Sequence, residues 1–592
     1  MPFRFALTLT FALALPAASA LAQQATARET VVVTATVAPE SLLNIGRTVV
    51  LLTGDELRQL PIVSVTDALR LVSSVDVRSR GPRGIQSDLS IRGATFSQAL
   101  VLVDGVRIND AQSGHHNSDI PVPLEEVDRI ELVLGGSSSL HGADATGGTV
   151  NVITRSAGRR FMADLSAGQY GLVETSATAG VVRPGMAHVL SGTFSRSSGF
   201  MPARDHSVAL GRYQATLREN TTATVGFLDK EFGANGFYGP APSREWTDQL
   251  LATVQHRYAR ATRWQATADV SYRGHGDHFI YDERNPSLSE SRHRTRVFAT
   301  NLRWHGTVSP RTQVSLAASG GYDAITSNNL GDHAFSHGSL AAEVRQSLGA
   351  RVVLHPGVRV DTYGGFGTSW SPSLAVSGRA SEHVRWRGSA GHAFRVPTFT
   401  ELFYVDPNHQ GAGALSPEEA WSADAGVDLI GRAWTAGTTV FTRWEDNVID
   451  WVRPSTAVRW RTANIRDVTT QGVETSLQRR LTASGQVRLQ YTWLTSEGPA
   501  PGLLSKYVLD YARHSLAASG SAVWHDVRLG SRAEWKRRID GRSYWTADVQ
   551  AARAVGRTEL YVQLANLFDQ SYQEIRGVDM PGRWVKAGVK LR

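Results

Sequence analysis

The chain has no cysteine among its 592 residues. That excludes disulfides, thiolate-held zinc or iron–sulfur centres and a thiol nucleophile. Lysine is scarce: Lys230, Lys506, Lys536, Lys586 and Lys590 are the only five, so nearly all positive charge is arginine. Beyond the first 22 residues there is no run of 18 apolar residues, which excludes a bundle of ordinary membrane helices. There is no G-x-S-x-G, H-E-x-x-H or P-loop pattern, and the chain is read as a non-enzyme with no cofactor. Mean hydropathy is -0.22, a value shared with large soluble proteins.

The N-terminus reads as an address. Arg4 supplies a positive start, residues 5–15 are apolar but too short to span a bilayer, Pro16 interrupts, and Ala20-Leu21-Ala22 offers small residues to a signal peptidase. Residues 1–22 are therefore expected to be a signal peptide. Export without cysteine fits a bacterial envelope protein that needs no disulfides. Charge is unevenly divided. Residues 45–154 carry 9 basic and 13 acidic side chains, and residues 155–592 carry 51 and 39, so the two parts differ in sign. The positive charge is dispersed rather than clustered, and an exported chain rarely meets nucleic acid; no nucleic-acid role is expected.

Two textures follow. Residues 45–154 read as a compact α+β unit. Thr53-Gly54-Asp55-Glu56 has capping-box spacing and is expected to open a short helix running to Leu60, where Pro61 stops it. Thr66 is expected to open a second. Strands are expected at 88–92, 99–103, 127–134 and 149–154, with Asp104-Gly105 as a tight turn. From about residue 159 the texture becomes alternating. Val487, Leu489, Tyr491 and Trp493 share one face, with Arg488, Gln490 and Thr492 on the other. Leu560, Val562 and Leu564 alternate with Tyr561, Gln563 and Ala565. A strand with one apolar and one polar face suits the boundary between lipid and a wet lumen. Strands in a bilayer must close on themselves, because no backbone polar group can be left unpaired there. Residues 159–592 allow 22 strands at ~20 residues each with loops, enough for spans of ~9–11 residues. A barrel of that size can hold a folded plug.

Several segments in fixed order carry a family resemblance. These are Glu29-Thr30-Val31-Val32-Val33-Thr34-Ala35 in the flexible segment 23–44, Ile91-Arg92-Gly93, Val101-Leu102-Val103-Asp104-Gly105-Val106 and Val127-Asp128-Arg129-Ile130-Glu131. Next come residues 140–154, and in the barrel Phe394-Arg395-Val396-Pro397, Leu415-Ser416-Pro417-Glu418, Gln471-Gly472-Val473-Glu474 and Asn566-Leu567-Phe568-Asp569. The chain resembles TonB-dependent outer-membrane receptors, and its short barrel resembles the cobalamin (vitamin B12) transporter-like members. His141 stands where the family pattern has tyrosine, and the chain ends Lys590-Leu591-Arg592 where family barrels end in an aromatic residue.

The resemblance implies an all-β transmembrane barrel of 22 antiparallel strands (155–592) with an N-terminal α+β plug domain (45–154) inside the lumen. It implies active import across the Gram-negative outer membrane, driven by TonB and its inner-membrane complex gripping residues 29–35 as the TonB box. A passive channel or an adhesin is the remote alternative. Further expected partners are outer-membrane lipid and lipopolysaccharide and the barrel assembly machinery, with the receptor a monomer. The cargo is expected to be cobalamin or another corrinoid, with a ferric siderophore or other metal chelate as the alternative. Arg92, Asp104, Arg129 and Glu131 are candidates for paired charges in the plug core. Apical loops align with the substrate loops of the cobalamin transporter, which nominates Arg80, Arg83, Gln86, Ser87, Gln112, Ser113, His115, His116 and Asn117 for ligand contact. Adjacent His115 and His116, followed by Asp119, could ligate a metal, though a structural role is the expectation. Asp277, Asp282 and Glu283 read as a solvated loop.

Overall fold

A computed structural model describes residues 31–32, 34–260, 263–288, 290–482, 485–498 and 502–591. The expected signal peptide, Glu29, Thr30, Val33 and Arg592 lie outside the described residues.

The alternating segments form a closed barrel of 22 antiparallel strands, each bonded to its neighbours in chain order. Closure is made by the first strand, Arg160–Gly168, against the last, Trp584–Leu591, with Leu165 opposite Val589. The period-two pattern sorts side chains by solvent. Leu190, Val270, Leu302, Leu316, Leu340, Trp370 and Leu374 point out as an apolar belt. Ser191, Arg212, Asp269, Arg359 and Asp361 point into the lumen, where they are buried. No helix among the described residues is long and apolar enough to cross a membrane.

The two barrel ends differ. At one end tight turns join the strands, such as His525-Asp526 between Ala512–Trp524 and Val527–Arg538, both residues at positive φ as a type I′ turn demands. At the other end lie the long connections 396–417, 447–467 and 566–583. Parts of the loops at this end fold into a small sheet of His409–Gln410, Trp460–Ile465, Val448–Arg453 and Leu504–Ser505. Short turns face the periplasm and long loops the exterior in barrels of this kind. Several strands exceed the membrane's need: Arg244–Arg260 and Trp264–Ile280 have 17 residues each.

The plug fills the lumen. Its main sheet runs in the order Thr48–Thr53, Val127–Leu134, Gly148–Thr154, Ala99–Val103, Val106–Arg107. Asp104 and Gly105 take φ of 51° and 81°, the expected tight turn. Leu52, Leu57, Leu69, Val101, Ile130, Leu132, Val150 and Val152 form its apolar core. Three details depart from the sequence reading. The first helix covers only Gly54–Leu57, capped by Thr53, because the following residues tighten into Gln59 N→Glu56 O and Leu60 N→Leu57 O bonds before Pro61. The second helix, Val65–Ala68, is capped by Ser64, whose hydroxyl accepts from Asp67 N at 3.0 Å, so it opens one residue earlier than Thr66. The strands Thr48–Thr53 and Val75–Ser79 lack the alternation that marks a half-exposed strand; the second is buried throughout.

Leu340, 68% exposed in the middle of His333–Leu348, sits in the outward belt. Leu340→Arg is expected to destabilise the barrel by about 2–4 kcal/mol if it lies at the bilayer midplane. Reversible folding into lipid vesicles under denaturant measures it, and an unchanged midpoint would place residue 340 away from lipid.

Candidate functional site

Three zones of the plug carry the functional chemistry: its contact with the barrel wall, its lower end and its apex. The wall contact is rich in ion pairs. Arg92 makes a forked pair with Glu474, Nε–Oε1 2.8 Å and Nη2–Oε2 2.6 Å. Glu56 receives a similar fork from Arg488 at 3.0 Å on both arms. Asp67 meets Arg532 at 2.6 Å, and Asp76 meets Arg538 at 3.0 Å and Lys536 at 3.1 Å. Asp104 accepts from Thr154 within the plug and faces Arg212 of the wall at 3.3 Å. Acids and bases stand on both sides of this seam: Glu56, Asp67 and Asp76 of the plug meet barrel cations, while Arg92 meets a barrel carboxylate. Burial would push Asp76 up, but Arg538 and Lys536 outweigh it and hold the carboxyl well below the usual carboxylate range. Such pairs add little net stability over apolar packing, yet removing one partner strands a buried charge at a cost of ~3–5 kcal/mol.

At the lower end, among the described residues of 29–35, Val31–Val32 forms a strand paired with Glu40–Ser41. Thr34 is fully buried. Its N–H donates to Glu131 Oε2 at 2.9 Å, and its hydroxyl donates to the same oxygen at 2.5 Å and accepts from Asn151 Nδ2 at 2.9 Å. His141 Nε2 reaches the Thr34 carbonyl at 2.8 Å. Burial, together with Arg359, Arg303 and Arg47, pushes this imidazole down to about 4, so it is neutral and donates. Glu131 and Asn151 are directly opposed in the ladder between Val127–Leu134 and Gly148–Thr154. Arg129 also binds Glu131 Oε1 at 2.8 Å. Of the four plug charges singled out from sequence, Arg92 and Asp104 reach the wall, while Arg129 and Glu131 stay within the plug. Farther along, Val37 N donates to Glu343 at 3.0 Å and Arg385 donates to the Leu43 carbonyl at 3.0 Å, fastening the segment to the barrel.

At the apex, only Arg83 and His115 of the nine nominated ligand residues keep partial exposure. The others are buried under the outer loops and bonded inward. Arg80 pairs with Asp88 at 3.1 Å, Gln86 accepts from Tyr238 at 2.9 Å, and Gln112 donates to Asp277 at 2.7 Å. Ser87 meets Ser79 at 2.8 Å, the Ser113 hydroxyl accepts from His115 N, and Asn117 accepts from Asp110 N at 2.9 Å. Arg83 pairs with Glu174 of the wall. His115 stacks on Phe96 (centroids 4.2 Å apart), contacts Tyr507 edge-on, and binds Asp88 at 2.6 Å. Against the sequence expectation, Asp277 is no solvated loop residue but a buried lumenal residue of Trp264–Ile280, bonded to Gln112 and 3.4 Å from His116 Nε2. For His116, burial pulls downward, but Asp277, Asp119 and Asp110 push the imidazole up to about 9. Tyr238 and Tyr507 were not singled out from sequence, since their partners Gln86 and His115 lie far away in the chain.

The family model described as "TonB dependent receptor-like, beta-barrel" matches residues 193–574, and that for the "TonB-dependent Receptor Plug Domain" matches residues 41–149. The chain belongs to the TonB-dependent receptor family. Similar proteins include the vitamin B12 transporter BtuB of Vibrio vulnificus strain YJ016, 24% identical over 505 residues and 76% of each chain. The counterpart from strain CMCP6 is 26% identical over 486 residues, again 76% of each chain. Among solved structures, the siderophore receptor PirA from Acinetobacter baumannii superposes with a TM-score of 0.75 at 15% identity, covering 93% of this chain and 98% of that one. The copper transporter OprC superposes at 0.78 and 16%, covering 92% and 98%. At such identities the likeness is one of fold. This receptor is thus an outer-membrane importer, and TonB is its energising partner.

The Thr34 contacts generate a prediction. The chain has no cysteine, so Val32→Cys can carry a lone spin label. Adding Glu131→Ala removes the acceptor of two Thr34 bonds and is expected to raise label mobility in electron paramagnetic resonance; an unchanged spectrum would show that Glu131 does not restrain the segment.

Proposed function

We propose that the cargo of this TonB-dependent importer is cobalamin or a closely related corrinoid. The observation that carries the reading is the sequence likeness, over 76% of both chains, to proteins named as vitamin B12 transporters. The apical electrostatics support it. Arg78, Arg80 and Arg83 are already paired with Asp510, Asp88 and Glu174, so none of these three is a free cation for an acidic siderophore. Titration of the purified receptor with cyanocobalamin, alongside ferric siderophores, is expected to give saturable corrinoid binding. Its absence at micromolar concentration overturns the corrinoid reading.

TonB gripping residues 29–35 is the second part of the proposal. An extended peptide gains most of its grip by adding a strand to a partner's sheet edge through main-chain bonds. Residues Val31–Val32 must then give up their pairing with Glu40–Ser41. Proline lacks the N–H donor such pairing needs. Val32→Pro is expected to abolish cellular corrinoid uptake while leaving binding to the purified receptor intact. Normal uptake by that variant would sink the TonB-box assignment.

A further inference from the structure

Beneath the apex, plug and barrel bring a second kind of chemistry together. His116 and Asp119 come from the plug, and His275 from the lumenal face of Trp264–Ile280. All three are buried, His275 to 1% exposure and Asp119 to 3%. Asp119 Oδ2 lies 3.9 Å from His116 Nδ1 and 3.8 Å from His275 Nε2. The two imidazoles are 4.5 Å apart between centroids. These separations are too long for hydrogen bonds, and Asp119 Oδ2 and His275 Nε2 are both buried without a hydrogen-bond partner. Leaving such atoms unsatisfied is costly and calls for an explanation.

The surroundings supply one. A four-coordinate cation with bonds of ~2.1 Å holds its ligand atoms about 3.4 Å apart, so sub-ångström movements would close this triad around an ion. A carboxylate stands near the far ring nitrogen of each imidazole, although His275 Nδ1 makes no hydrogen bond to it in this arrangement. His116 Nε2 faces Asp277 Oδ2 at 3.4 Å, and His275 Nδ1 faces Asp110 Oδ2 at 3.0 Å. A carboxylate on the second ring nitrogen orients a ligating imidazole and raises its basicity. Asp119 spends its other oxygen on Lys230, 2.6 Å away. Asp110, Asp119 and Asp277 crowd around the two imidazoles, with Lys230 on Asp119 and Arg273 on Asp110.

We propose that His116, Asp119 and His275 form a site for one divalent first-row transition cation, which ties the plug apex to the barrel wall. Two imidazoles and one carboxylate suit zinc, iron(II) or cobalt(II) and not calcium, which takes oxygen ligands. The site does not depend on the identity of the cargo. His116, Glu245 and Asp277 form an overlapping set that competes for the same imidazole.

The test uses full-length, tag-free, chelator-washed receptor in detergent, titrated calorimetrically with Zn2+ alone. One saturable equivalent is expected, with Zn2+ raising the melting temperature and excess Ca2+ failing to compete. His275→Gln is expected to weaken binding at least tenfold, and Glu245→Gln to leave it within about twofold. Co2+ on the wild-type protein provides a reading independent of variant folding: visible d–d bands of a nitrogen- and oxygen-ligated ion are expected, and Zn2+ should bleach them. Absence of stoichiometric Zn2+ binding, or retention of wild-type affinity by folded His275→Gln, overturns the proposal. Loss of binding in Glu245→Gln but not in His275→Gln would transfer the ion to the overlapping set and overturn it equally.

Discussion

The structure depends on one constraint: within hydrocarbon, every backbone N–H and C=O must find a partner inside the protein. A sheet meets that condition only by joining its edges, here Arg160–Gly168 to Trp584–Leu591. The rest follows. Closure by 22 strands leaves a lumen wide enough for a folded unit. The strand period of two then puts apolar side chains against lipid and polar ones against that lumen. The plug must accordingly offer a polar exterior while keeping an apolar core of its own.

Two kinds of adhesion result, and their energetics differ. Inside the plug, Leu52, Val101, Ile130, Leu132 and Val150 are held by apolar burial, which is non-directional and is lost only with the fold. Between plug and wall, beside small apolar contacts such as Ile85 with Phe232 and Phe237, many contacts are charge pairs such as Arg92–Glu474, Glu56–Arg488 and Asp76–Arg538. Their desolvation cost offsets much of their attraction, so they fix position more than they add stability. If water enters the seam, both ions of a pair are solvated again. A plug fastened this way can shift against the wall without exposing its apolar core, whereas an apolar seam would resist any displacement.

Much of this was legible in the chain. The alternation of Leu560, Val562 and Leu564 marked strands with two different faces, Asp104-Gly105 marked its turn, and the order of motifs marked plug before barrel. Local chemistry carried those signals. What stayed illegible was the identity of partners. Nothing near Arg92 names Glu474, 382 residues away. Asp277 looked like a loop acid because a membrane strand needs only ~9–11 residues. Trp264–Ile280 has 17, and the extra length carries Asp277 into the lumen above the plug. The strand Val75–Ser79 stayed hidden because burial on both faces erases alternation.

The lower end shows how tension could act on this arrangement. Thr34 is held at the cross-strand pair Glu131 and Asn151, in the interior of the five-stranded sheet. A pull on the residues before it meets these few polar contacts and the two-residue pairing of Val31–Val32 with Glu40–Ser41 first. The ladder behind them, from Val127–Leu134 to Gly148–Thr154, has many bonds and an apolar core beneath it. Glu343 and Arg385, by contrast, belong to the barrel and fix Val37 and Leu43 to the wall. Force from the periplasm therefore meets the weakest and most local attachments before it reaches either the plug's core or the apex. The order in which bonds yield is set by position along the chain, with the segment nearest the partner giving way first.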